Sequence, residues 1–160
     1  MEDFILFFVR YLHVLNGVMW IGILWYFNFV QIPSMPKIPD EQKPAISKVI
    51  APEALFWFRW SAAGTVLFGL ILAHLNGYAH EAMTLQRPDI GFGMWLGLIM
   101  AFNVWFVIWP AQKIALGIVE ADADAKPVAG RRAMLFSRAN TLMSIPMLFS
   151  MISAQNPPGL

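Results

Sequence analysis

Arg10, His13, Gly17 and Trp20 follow i, i+3, i+7, i+10 spacing. That spacing puts all four on one face of an α-helix. The segment that carries them, residues 4–32, reads FILFFVRYLHVLNGVMWIGILWYFNFVQI and contains no acid. A titratable group inside so apolar a stretch is costly to bury and usually has a task. For an imidazole the natural task is axial ligation of a b-type haem, which needs no cysteine. His13 would sit about 13 Å along the helix from Phe4. Gly17, one turn further on, would let a flat group approach the backbone. The plainer reading is a histidine hydrogen-bonded to a neighbouring helix.

Other residues could join it. His74 ends the second apolar segment on the same side and could serve as a second haem ligand; an interfacial histidine is the simpler alternative. His80 reads as a solvated loop residue. Arg59 and Arg138 lie just inside two apolar segments that contain no acid near them. Either they snorkel to the interface, or they hold an anion: a haem propionate, an anionic substrate or a lipid phosphate. Asn28, Gln31, Asn103 and Asn140 are suited to interhelical hydrogen bonds. Asp122 and Asp124 read as solvated. No nucleophile with its base, metal cluster or phosphate loop is visible.

Four apolar stretches must position these groups. They run over residues 4–32, 54–75, 90–109 and 133–153, each near the 20 or so residues that cross a bilayer. None alternates as a barrel strand would. The expected fold is all-α: one domain over 1–160, an integral membrane four-helix transmembrane bundle. The expected connections are polar. The first holds Pro33, Pro36, Pro39 and Pro44, the second Asn76, Gly77 and Pro88, and the third Pro127 and Gly130 as helix stops. Pro146 is expected to kink the last span. Trp57, Trp60 and Trp109 suit interfacial belts.

Lys37, Lys43 and Lys48 gather in the first connection, and Lys113, Lys126, Arg131 and Arg132 around the third. The second has only Arg87. The positive-inside bias then puts connections one and three in the cytoplasm, with both termini and connection two in the periplasm. MEDF at the N-terminus lacks a basic n-region, so the first span reads as retained. Met19-Trp20-Ile21-Gly22 with Phe27-Asn28 resembles Met94-Trp95-Leu96-Gly97 with Phe102-Asn103 at the same spacing. Two parallel hairpin repeats would explain this; chance likeness between membrane helices would too.

Composition narrows the function classes. The chain is 58% hydrophobic and 13% charged, with a mean hydropathy of +0.58; a soluble domain is nearer half and a quarter. A net charge of +1 argues against nucleic acid as a partner. The absence of cysteine excludes disulfides, cysteine-ligated clusters and covalently attached haem.

Four blocks carry a family resemblance: RYLHVLNGVMWIG at 10–22, FWFRWSAAGTVLFG at 56–69, IMAFNVWFVIWPAQK at 99–113 and SRANTLMSIPMLFSMISAQN at 137–156. Together they resemble the membrane domain of the bacterial membrane-bound urate oxidase (urate hydroxylase) family. The resemblance implies urate oxidation, with electrons passed to a cytochrome chain. It also implies a shortened form that keeps the first two and last two helices and has no cytochrome c domain. His13 matches the family's first-helix histidine. Gln155 stands where the family has a histidine near the end of the last helix.

Three functions are therefore expected. The chain could be a small redox subunit binding b-type haem through His13, with Arg10, Gly17, His74, Arg59 and Arg138 around the cofactor. It could be a non-catalytic accessory or assembly subunit of a larger respiratory or photosynthetic complex. Or it could be a urate-handling enzyme or transporter fragment that uses Arg59 or Arg138 for the anion. All three place it in the bacterial inner membrane, with the lipid bilayer and either other subunits or its own copies as partners.

Overall fold

The computed structural model describes residues 1–156, so the last four residues of the expected 1–160 domain lie outside it. Every element is helical. Helix α1 runs Glu2–Lys37 and α2 Lys43–Leu75. A short α3 spans Ala79–Met83, α4 runs Pro88–Ala115, and α5 runs Ala125–Ser153.

The helices overrun the apolar stretches that predict them. The first connection shrinks to five residues, and Pro33, Pro36 and Pro44 lie in helical backbone. What makes them tolerable is a local widening. The π-helical turns Tyr26–Gln31, Ile46–Ile50 and Asn103–Ile108 each end two residues before a proline: Pro33, Pro52 and Pro110. A proline has no N–H for the carbonyl four residues back, and its ring crowds that carbonyl. An i→i+5 turn relieves both problems without ending the helix. Pro127 and Gly130, expected to stop a helix, instead sit in the first two turns of α5. Pro127 falls where the backbone N–H groups have no intrahelical partner anyway. Helix α5 also continues through Pro146.

Two antiparallel hairpins form the molecule. Helix α1 packs along α2, and α4 packs along α5. The hairpins join through α1 against α5 and α2 against α4, which gives the ring order α1–α2–α4–α5. This arrangement is the one two parallel repeats would produce, although the repeated tryptophans differ in environment: Trp20 is buried and Trp95 exposed.

Helices α1, α2 and α4 are long and apolar enough to cross a membrane. The fourth expected span lies within α5 but is not among them, because polar residues lower its hydropathy. Those residues face inward. Ser137, Asn140, Thr141, Ser144 and Ser150 are buried, while Leu142, Ile145 and Phe149 are 72%, 60% and 68% exposed. Helix α5 is therefore inverted relative to a helix of a water-soluble bundle.

The buried polar stripe stitches the bundle together. Asn28 Nδ2 donates to Ser137 Oγ at 2.7 Å, and Trp25 Nε1 to Ser144 Oγ at 2.9 Å. Asn103 Nδ2 donates to Asn140 Oδ1 at 2.9 Å, and Asn140 Nδ2 to the Met100 carbonyl at 2.9 Å. The expected interhelical roles of Asn28, Asn103 and Asn140 are met. The core between them holds Trp20, Leu24, Phe58, Met100 and Val104.

Candidate functional site

His13 lies in the seam between α1 and α2. Its Nδ1 donates to the Thr65 carbonyl at 2.8 Å; a carbonyl can only accept, so the proton is on Nδ1 and Nε2 is left free. The seam is close because α2 presents Ser61, Thr65, Gly69 and Ala73 at intervals of four. Small residues at that interval let two helix backbones approach. A Cβ on Gly69 would come within 2.8 Å of His13 Cε1, so only glycine admits the ring. Asn16, one turn along, occupies the space beside Gly64 in the same way.

The other residues expected around a cofactor are elsewhere. Gly17 faces Thr65 across the seam, where an added Cβ would be 3.9 Å from the threonine methyl. It accommodates helix packing and not a flat group. His74 is exposed at the end of α2, five residues and about 7.5 Å of rise beyond Gly69, the residue against His13. His80 is exposed on α3. Arg10 is exposed at the far end of α1 and influences Tyr78 in the second connection. Burial raises the Tyr78 phenol above its ordinary pKa, against the opposing pull of Arg87 and Arg10. Arg138 is exposed on α5. Arg59 is stacked on Trp109, with its guanidinium carbon 3.4 Å from the ring centroid.

This arrangement bears on haem. His13 has the donor chemistry of a ligand, since a fixed Nδ1–H leaves Nε2 free for a metal. The bundle brings no second histidine to it. Among the described residues no group of three or more His, Asp or Glu is placed to hold a metal ion. His74 lies apart from His13, so the expected His13–His74 pair does not form within the chain.

A cavity of about 290 Å³ lies at the opposite end, where the first and third connections meet the bundle. All four long helices line it. Phe27 and Phe58 form an edge-to-face pair in its wall, 5.9 Å between centroids. Gln31, Ser47, Gln112 and Ser137 supply its polar groups, and no charged side chain lines it. Gln31 was expected to bond across helices; instead its Oε1 is buried without a donor. Asn28 Oδ1, one turn away, is in the same condition, although its amide nitrogen is held by Ser137. Two buried amide acceptors without donors are uncommon and costly. Neither His13 nor Arg59 lines this cavity.

The matched segment of the chain now has a structural meaning. Residues 88–158 match the urate oxidase N-terminal family. The urate oxidase match spans α4 and α5, the second hairpin and the smaller part of the cavity wall; the first hairpin, with His13, lies outside it. No curated protein and no solved structure matches the chain.

The cavity was the feature sequence reasoning missed. Its signal was present in Gln31, which stands near Pro33 and Pro36, prolines that read as a connection and prove to be helical.

Proposed function

We propose that the chain is a small integral membrane subunit of a urate-handling redox system, with the cavity between the first and third connections as its ligand site. The cavity carries this reading. It offers an aromatic wall for a planar ring and, on the lining residue Gln31, an amide oxygen without a donor, and urate presents both a flat face and N–H edges. A volume near 290 Å³ is at the small end for ligand sites. The resemblance to the urate oxidase N-terminal family supports the choice of ligand. Partner subunits or further copies of the chain would supply the electron acceptor.

The inverted polarity of α5 supports a fourth crossing, which places both termini on one side. The lysines and arginines near connections one and three support a cytoplasmic position for the cavity end in a bacterial inner membrane.

Calorimetric titration of the detergent-solubilised protein with urate tests the ligand. Saturable binding that weakens on Gln31→Leu supports the reading. No binding by a folded wild-type protein contradicts it.

A second reading keeps a haem role for His13. It rests on the fixed tautomer, which leaves Nε2 free to ligate where a second copy or a partner subunit supplies the other axial group. A reduced-minus-oxidised spectrum with a b-type α-band, lost in His13→Ala, supports it; a colourless folded protein rules it out.

A further inference from the structure

Two cations share one tryptophan at the cavity end of the bundle. Besides the stacked Arg59 guanidinium, Lys113 Nζ lies 5.7 Å from the Trp109 centroid. Stacking satisfies the face of a guanidinium and leaves its donors, which lie in the plane, still to be bonded. Arg59 Nε and Nη1 are buried and have no acceptor. The ion pairs among the described residues are Lys43–Asp40 and Arg87–Asp89, and neither reaches this place. Buried donors on a charged group without an acceptor are costly.

The surroundings indicate what completes the site. Trp105 Nε1 donates to the Arg59 carbonyl at 3.2 Å and fixes the backbone. From there the side chain leans toward the start of its helix, as helical side chains do, and so toward the connection end. Trp57 and Trp60 are exposed on the same stretch of α2, near the start of the apolar run 54–75, and tryptophans at the boundary of an apolar run mark headgroup depth. Trp60 packs edge-to-face on Trp105 at 5.4 Å. Phe106, 67% exposed, adds apolar surface on the same stretch of α4.

We propose that Arg59 and Lys113 hold the phosphate of an anionic phospholipid headgroup, with the tryptophans and Phe106 beside its acyl chains. A basic group between helices at the membrane face is suited to such a ligand. The site is separate from the cavity, since neither Arg59 nor Lys113 lines it.

Native mass spectrometry of the full chain in detergent tests this, with short-chain phosphatidylglycerol, phosphatidylcholine and inorganic phosphate as competing probes. Phosphatidylglycerol is retained in preference to phosphatidylcholine. Arg59→Gln weakens its retention roughly tenfold, the scale of a charge-assisted hydrogen bond. Lys113→Gln, which keeps the Arg59–Trp109 stack, weakens it about fivefold and serves as the second variant if Arg59→Gln does not fold. Equal retention of the two lipids, retention unchanged in a folded variant, or binding of inorganic phosphate without the lipid overturns the proposal.

Discussion

The His13 ring donates from Nδ1 to the carbonyl of Thr65, 2.8 Å away, across the seam between α1 and α2. The ring fits only because Gly69, one turn along α2, has no side chain.

Gly69→Ala is expected to destabilise the protein by about 1–3 kcal/mol, the usual cost of overpacking. Gly22→Ala is the control. It is also helical, but nothing lies within 4 Å of its added Cβ, so it should be neutral or stabilising by about 0.5–1 kcal/mol through helix propensity. The melting temperature in detergent should fall for Gly69→Ala and hold or rise for Gly22→Ala.

Asn140→Leu makes α5 more apolar and is nevertheless expected to destabilise the bundle. Asn140 is fully buried, accepts from Asn103 and donates to the Met100 carbonyl. Interhelical hydrogen bonds in membranes contribute about 0.6–1.7 kcal/mol each. A lower melting temperature for Asn140→Leu, beside an unchanged one for Leu142→Ile on the exposed face, is the expected pair of results.

Tyr78 should make the second connection sensitive to high pH. Its folded pKa is raised above 10.0, chiefly by burial. An acid with a raised folded pKa binds its proton more tightly in the folded state, so its contribution is present below the unfolded value. That contribution is lost as pH rises through the folded one. Hydrogen exchange around Ala79–Met83 should accelerate above about pH 10 in the wild type, and Tyr78→Phe should remove that step.

Much of this fold was legible in the sequence, and the reasons are local. Long apolar runs need no tertiary knowledge, so the four long helices were found with only their ends wrong, while the short α3, Ala79–Met83, lies in what read as a connection. The end of α1 was missed because Pro33 and Pro36 read as part of a connection, whereas the π turn Tyr26–Gln31 carries the helix past Pro33. Arg59, Asn103 and Asn140 stood out as polar groups in apolar segments. Their partners did not: Trp109 lies on another helix, and only the ring order of the bundle brings it over Arg59. The small residues Ser61, Thr65 and Gly69 were visible at intervals of four, and they are the signal that His13 faces a helix seam. The polar stripe of α5 was equally visible; it lowered the hydropathy of that helix because it points inward.

The crossing of α5 is the claim on which the account most depends, and the chain's lack of cysteine makes it simple to test. Asp122→Cys and Gln155→Cys lie just beyond the two ends of α5. Each is treated in sealed, oriented membrane vesicles with a membrane-impermeant maleimide. A helix that crosses predicts labelling from opposite sides, with Asp122→Cys reactive from the side that also labels Asp40→Cys. Labelling of both positions from the same side would contradict the fourth crossing, and with it the inverted bundle whose four long helices line the cavity.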